Sequence, residues 1–544
     1  MVNADHPAAA IKRSEQAMAK FITPEEAAAL IPDGARVGVS GFATAGSADA
    51  VLRRLNKRFE ETGSPRNLSI LCPTCAIVID GQEEQYGVIA LKEEGMVSSL
   101  YTSRLGSGHK LAELANENKL AAYIYPLGVF SHLFRAQAGG KPGILTHIGK
   151  YTFADPRNEG CRLNDCAQQW GNELVKLVEV DGREYLYYRA IPLDICLIRG
   201  TYADEDGNIS IENEVIPAES VEMAEAVHNS GGIVVVQVSK VLRRNTIPPK
   251  NVAIHRKLVD YVVEAAPKDH PFSYTDVEFR PELVGGLRVP EESVEPMELG
   301  LRKIIARRGA MELRRNWLVN LGFGISDGVA VVANEEGLAG DIALSIETGI
   351  FGGVPLPGNR MGQGVNQEAI YRMADIFDLY DGGILDATYL SFAEVDAEGN
   401  VNVAKFGGRI IGPGGFINIA QNTKKLHFLA SFTAGGLKCG TEDGKLNIQR
   451  EGASKKFKKK VESITFSGKY AIESGQEVLY ITERGVFRLT PEGLMLIEIA
   501  PGIDLERDIL AQMEFTPLIS PELKEMDSRI FRPEKMGLQF KEET

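Results

Sequence analysis

The stretch "LSIETGIFGGVPLPG", residues 344–358, is where the reading of this chain begins. A short apolar run ends on one carboxylate, Glu347, and then gives way to glycines and prolines. The run reads as a buried strand and the glycine-proline segment as a loop. A glutamate at such a junction is most often an ordinary solvated loop residue, but the flanking "DIALSI" and "TGIFGG" place this one in a walled cleft rich in N–H groups.

The same pattern recurs along the chain. "ARVGVSGF" (35–42), "NLSILCP" (67–73), "AAYIYPL" (121–127), "ICLIRGTY" (195–202) and "GGIVVVQVS" (231–239) read as buried strands. "TPEEAAALI" (23–31) and "SADAVLRRLNKRFEET" (47–62) carry helical spacing, and "TPEE" supplies a cap residue, a first-turn proline and two acids. Continuous apolar strands alternating with helices predict an α/β fold with mostly parallel sheets covered on both faces.

"RPELVGGLRVPEESVEPMELG" (280–300) lacks a clear period and is rich in Pro, Gly and Glu, so it marks a boundary. The expected division is residues 1–285, a linker at 286–300, and residues 301–544. The two parts echo each other. "TYADEDGNISI" (201–211) resembles "AEVDAEGNVNV" (393–403), and "VGVSGFATAG" (37–46) resembles "VNLGFGISDG" (319–328). An extra irregular insert at about 139–190 distinguishes the first. Two related α/β units binding a ligand between them are expected.

At 544 residues the chain is long enough for at least two folded units, and 44% hydrophobic against 25% charged residues is ordinary for a globular protein. Sixty basic against 74 acidic residues leave a net charge of −14, which argues against non-specific binding to nucleic acid or anionic membrane. Six cysteines are too sparse for a disulfide scaffold. "MVNADHPAAAIKRSEQAMAKF" has no apolar core of the signal-peptide kind, and no apolar run is long enough to span a bilayer. The chain reads as cytoplasmic.

The glycine turns hold no standard nucleotide motif. In "NLGFGISDG" the third glycine falls at Gly328, one place late for G-x-G-x-x-G, and no P-loop occurs. "SGFATAG", "NLGFG", "FGGVPLPGNRMGQG" and "GPGGF" (412–416) nevertheless all fall at strand ends, the edge where open parallel sheets bind ligands. Their N–H groups suit an oxyanion or a phosphate. Cys72 and Cys75 form a C-x-x-C pair with no second pair at zinc spacing, so packing at a strand end is favoured over a metal or redox role. "GSGHK" (106–110) lacks the nucleophile-elbow form, and "SKKFKKK" (454–460) reads as a solvated helix face. Glu347 remains, able to serve as a general base or a covalent nucleophile with glycine N–H donors nearby.

These residues together resemble family I CoA-transferases. "DGARVGVSGFATAG" is similar to the family's N-terminal signature, "SIETGIFGG" to its catalytic Ser-Glu-Asn-Gly motif, "VNLGFGIS" to its Asn-Leu-Gly-Ile-Gly turn, and "GPGGFINIAQNTKKL" to its late Gly-Gly segment. "ITERGVFRLTPEGLMLIEIAPGIDL" (481–505) resembles the C-terminal run, and "YTFADPRNEGCRLND" the single-chain acetate or propionate CoA-transferase branch. The resemblance implies two similar open α/β domains with the active site at their interface. It implies transfer of coenzyme A between an acyl-CoA and a short-chain carboxylate through a glutamyl-CoA thioester on Glu347. Gly414 and Gly415 are then the oxyanion donors; Asn320, Gly322, Gly324, Gly352 and Gly353 lie along the CoA; Gly41, Phe42, Gly46 and Leu127 form the N-terminal loops near the site. No metal and no tightly bound cofactor is implied, coenzyme A being a substrate, and a homo-oligomer is expected.

Several residues depart from the family's pattern. Ile346 and Thr348 flank the glutamate in place of two polar neighbours, Ser40 replaces the first glycine of Gly-Gly-Phe, and Leu127 stands where a carbonyl-polarising glutamine is expected. Two alternatives follow: an acyl-CoA hydrolase using the same glutamate, and a non-catalytic protein that binds a phosphorylated metabolite.

Overall fold

The computed structural model describes residues 18–82, 85–171, 173–290, 297–322 and 324–541. Its first sheet has eight strands: β1 (Lys20–Phe21), β2 (Arg36–Val39), β3 (Leu68–Leu71), β4 (Val97–Thr102), β5 (Ala121–Ile124), β6 (Ile195–Arg199), β7 (Ile233–Val238) and β8 (Tyr261–Glu264). They lie in the order β1-β8-β7-β6-β2-β3-β4-β5, and every neighbouring pair is parallel. β3, β5, β6 and β7 are buried at every position, which is why their sequences are apolar without alternation. Helix α1 (Pro24–Ala29) starts on the expected capping box: Thr23 Oγ1 accepts from the Glu26 amide at 3.2 Å, and Glu26 accepts from the Thr23 amide at 2.8 Å. Helix α2 (Asp49–Thr62) ends at Gly63 with φ 70°.

The second sheet has ten strands: β9 (Leu318–Leu321), β10 (Ala343–Ile346), β11 (Ile350–Phe351), β12 (Ala369–Ile370), β13 (Ala387–Leu390), β14 (Lys425–Leu429), β15 (Glu477–Ile481), β16 (Gly485–Thr490), β17 (Gly493–Ile499) and β18 (Leu518–Glu525). Their order is β12-β11-β10-β9-β13-β14-β15-β16-β17-β18. The stretch from β10 to β15 is parallel, while β11 and β12 at one edge and β16 and β17 toward the other pair antiparallel. The α/β class with mostly parallel sheets is therefore present as expected.

Among the described residues no sheet mixes strands from before and after the 286–300 segment, of which residues 291–296 lie outside that description. The hydrophobic core does cross it. Phe42, Ala43, Leu127 and Ile216 share one cluster with Phe377, Phe416, Ile419 and Phe428. The 139–190 insert is more regular than its sequence suggests, with an antiparallel sheet of Gly143–Thr146, Val175–Val180 and Arg183–Arg189. It grips the second half: the Phe153 amide donates to the Ile464 carbonyl and the Gly149 amide to Gln421 Oε1, both at 2.7 Å. The lysine run at 454–460 is not helical; Lys455 donates to the Ala511 carbonyl at 2.8 Å and Lys458 pairs with Glu514 at 2.9 Å. Residues 1–17, most of the segment read for a targeting signal, lie outside the described residues. Among the described residues no helix is long and apolar enough to cross a membrane.

One buried acid carries a stability consequence. Glu219 caps helix α4 (Ser220–Asn229), where Ser131 of helix α3 (Leu127–Ala138) donates to its Oε1 at 2.9 Å and Oε2 has no partner. Burial pushes its carboxyl up to about 8, and the nearby Glu222 adds to the shift. Because the folded pKa exceeds the unfolded value of about 4.3, stability is full at acid pH and is lost as pH rises through about 8. Glu219→Gln keeps the hydrogen bond without the charge. Its melting temperature is expected to gain roughly 2 °C or more over the parent at pH 9 and little at pH 5, measured by scanning calorimetry.

Candidate active site

Strand β10 ends at Ile346, and the chain turns back at once. The Gly349 amide donates to the Ile346 carbonyl at 3.0 Å, and Ile346 and Ser345 face Ile350 and Phe351 across the hairpin. Glu347 and Thr348 occupy the two central turn positions. Gly349 sits at φ 113°, and any Cβ there would collide with the Tyr371 carbonyl. The Thr348 hydroxyl donates to the Gly362 carbonyl at 2.7 Å, which ties the turn to the following loop. The glycine-rich stretch after Glu347 is thus a tight hairpin instead of a free loop.

The turn projects Glu347 into a cavity of about 220 Å³ between the two sheets. Loops after β2, β3 and β4 contribute Phe42, Thr74 and Arg104; those after β9 and β13 contribute Gly322 and Ser391; the 412–416 segment closes one side. Apart from 412–416, these positions lie at the carboxyl ends of parallel strands or just beyond, beside the places where both sheets reverse strand order. The two sides are stitched by main-chain bonds. The Leu105 and Gly106 amides donate to the Ile411 carbonyl at 2.8 and 2.9 Å, and the Gly414 amide to the Ser103 carbonyl at 3.1 Å. Gly412 lies so close to Ser103 and Arg104 that a Cβ would strike their backbone.

A larger hollow of about 600 Å³ lies at the opposite ends of β14 and β15. Its charges are largely spent on one another: Arg308 with Glu498 and Lys541 with Glu312 at 2.7 Å, Lys425 with Glu477 at 2.6 Å. The smaller cavity holds the chemistry-bearing groups.

Glu347 is only partly exposed, and burial raises its pKa above the usual glutamate range against the opposing pull of its own amide and of Arg104. Burial also lowers the pKa of Arg104, whose electrostatic neighbours are Cys75 and Glu347. Asp327, the third charged residue on the wall, forms an ion pair with Arg302.

The structure gathers Glu347, Phe42, Gly322, Gly414 and Gly415 around this cavity. Gly415 packs against the nucleophile candidate itself, since a Cβ there would lie 3.2 Å from Glu347 Cγ. Among the described residues its N–H has no hydrogen-bond partner, whereas that of Gly414 is taken by the Ser103 carbonyl. Asn320 does not line the cavity. It is fully buried in β9, where its amide donates to the Ser345 carbonyl at 3.0 Å and braces the strand that ends on Glu347. Gly352 and Gly353 serve hairpin packing, because added Cβ atoms would strike Glu368 and the Val365 carbonyl. Gly324 is exposed near Ser391. Gly41 and Gly46 shape the loop that carries Phe42, with Ser40 Oγ donating to the Gly46 carbonyl at 3.0 Å. Leu127 is fully buried in the shared core, its amide donating to the Gly414 carbonyl at 3.3 Å.

Sequence reading missed Thr74 and Arg104. Thr74 lay inside the cysteine pair weighed for a metal, and Arg104 directly follows β4, a position that strand-end logic marks out. Cys72 and Cys75 are buried free thiols, Cys72 bonding the Thr74 carbonyl at 3.3 Å, and they pack behind the cavity wall. Among the described residues no group of three or more His, Cys, Asp or Glu could hold a metal.

Comparison with known proteins agrees with this geometry. Residues 21–265 match the model of the family described as Coenzyme A transferase. The chain is 45% identical to the caffeate CoA-transferase of Acetobacterium woodii over 528 residues, covering 96% of this chain and 99% of that one. It is also 45% identical to the acetate CoA-transferase YdiF of Escherichia coli K12, covering 95% and 96% of the two chains. The crystal structure of the acyl-CoA transferase YdiF from Escherichia coli O157:H7, described as a thioester complex with CoA, superposes with a TM-score of 0.89 at 43% identity, covering 97% of this chain and 98% of that one. The chain belongs to the coenzyme A transferase family and is an enzyme of that class.

The pH dependence follows from the site's charges. Arg104 and the Tyr380 hydroxyl interact electrostatically with Glu347, and Asp327 lines the same cavity. A reactive carboxylate with a raised pKa loses activity as pH falls through that value. The acid limb of kcat/KM is therefore expected above the ordinary glutamate value of about 4.3, and a pH–rate profile with acetyl-CoA measures it.

Proposed function

We propose that the protein transfers coenzyme A between short-chain acyl-CoAs and carboxylates by ping-pong chemistry on Glu347. The observation that carries this reading is a desolvated glutamate at a strand end, facing a cavity between the sheets beside Gly415. Glu347 attacks the thioester carbonyl of the donor, the C–S bond breaks, and an acyl-glutamyl anhydride and CoA thiolate result. The thiolate attacks the glutamyl carbonyl, expelling the donor acid and leaving a glutamyl-CoA thioester. The acceptor carboxylate then attacks that thioester and reverses both steps. No proton is gained or lost, and neither a metal nor a redox cofactor takes part. The Gly415 N–H supports the oxyanion formed in each attack; removing such a donor costs about 10²–10³-fold in rate.

The same reading makes coenzyme A a substrate, as in the family at large. It places the protein in the cytoplasm as a homo-oligomer, acting on acyl-CoA and free acids and not on nucleic acid or membrane. It also treats 1–285 and 301–544 as two units joined at 286–300, supported by the separation of strands between the sheets.

The test is intact mass after incubation with acetyl-CoA. The parent is expected to gain a CoA-sized adduct that added propionate discharges, and Glu347→Gln to gain none. An adduct discharged by water at a rate no acid accelerates makes the protein a hydrolase. Absence of any adduct with the acyl-CoAs tried favours the binding-protein alternative.

A further inference from the structure

The reaction places a free carboxylate against Glu347 or its thioester, and nothing so far says what receives it. Three charged residues line the cavity among those described: Glu347, Asp327 and Arg104. Asp327 is satisfied by Arg302. Arg104 is the one cation among them, and part of its head group is buried and unpartnered. Its Nε is buried without a hydrogen-bond partner, and among the described residues no carboxylate forms an ion pair with its guanidinium. Its main chain, by contrast, is firmly held. The Arg104 carbonyl accepts from the Cys75 amide at 3.0 Å and from Thr102 Oγ1 at 3.1 Å, and the 103–106 segment is bonded to the 411–414 segment across the cavity mouth.

A desolvated guanidinium without a counter-ion is costly unless a ligand completes it. Its flat fork of donors matches a carboxylate in two-point fashion. The position also answers an electrostatic need, because a substrate carboxylate beside ionised Glu347 is repelled unless a cation stands near both. Leu127, buried in the core, offers no polar side chain for the task. We infer that Arg104 receives the carboxylate of the acid substrate and holds it in line with the glutamyl carbonyl, as a positioning residue that selects monocarboxylates. The selection follows from the rest of the wall. Phe42, Ile346, Leu356, Met361 and Val403 are apolar, so the second carboxylate of a diacid finds no cation there.

This inference rests on the transferase reading above, and the test separates the two. The parent, Arg104→Gln and Arg104→Lys are loaded with CoA from acetyl-CoA, and discharge of the adduct is followed by mass in single turnovers. The acid oxygen attacks the glutamyl carbonyl and the C–S bond breaks, releasing CoA thiolate. In a parallel arm, neutral hydroxylamine attacks the same carbonyl and needs no carboxylate receptor. For Arg104→Gln the propionate concentration giving half-maximal discharge is expected to rise about 10- to 100-fold, with hydroxylamine discharge unchanged. Arg104→Lys is expected to recover part of the loss, and succinate to discharge the parent poorly. A parent that never loads overturns the glutamyl-CoA reading itself. A parent and an Arg104→Gln variant that load and respond to propionate alike overturn the role of Arg104 alone. Equal losses toward propionate and hydroxylamine also overturn it, because they mark a merely structural contribution.

Discussion

A carboxylate that is to act as a nucleophile must be stripped of water without being neutralised by a permanent partner. Under the proposed chemistry that residue is Glu347, which is half-buried. The tight hairpin after β10 lifts it out of the sheet into a narrow cavity, where burial raises its pKa, and among the described residues no ion pair holds it. Arg104 acts on it from a distance that stabilises charge while leaving both groups open to a ligand. Much of the surrounding architecture serves to maintain that separation.

The separation depends on two loops from different sheets. Residues 103–106 and 411–414 are bonded main chain to main chain, and Gly415, next to that segment, packs against Glu347. Gly412 permits the close approach, and the absence of a side chain at Gly415 leaves room for Glu347 beside it. The shared core of Phe42, Leu127, Phe377 and Phe416 prevents the halves from sliding apart. A cavity built at the meeting edge of two parallel sheets is thereby as rigid as the cores behind it.

The departures from the family's pattern take on a physical meaning here. Thr348 turns its hydroxyl to the Gly362 carbonyl, so it stiffens the turn. Ile346 presents an apolar face to the cavity, and Leu127 withdraws into the core. On this partly apolar wall the half-buried cation Arg104 gains influence because fewer dipoles screen it.

The sequence by itself determined the local events. Apolar runs marked the buried strands, "TPEE" marked a helix start that the capping box repeats atom by atom, and the lone glutamate before "TGIFGG" marked the strand end that faces the cavity. Each of these is set by neighbours within a few residues, where chain chemistry and periodicity act directly. Tertiary structure decided what required partners far along the chain. Only the meeting of residues 103–106 with 411–414 shows that Arg104 shares a cavity with Glu347, that the Gly414 N–H is spent while that of Gly415 has no partner among the described residues, and that Asn320 braces a strand instead of lining the cleft. Burial and hydrogen-bond commitment are properties of the assembled interface, and no window of sequence contains both sides of it.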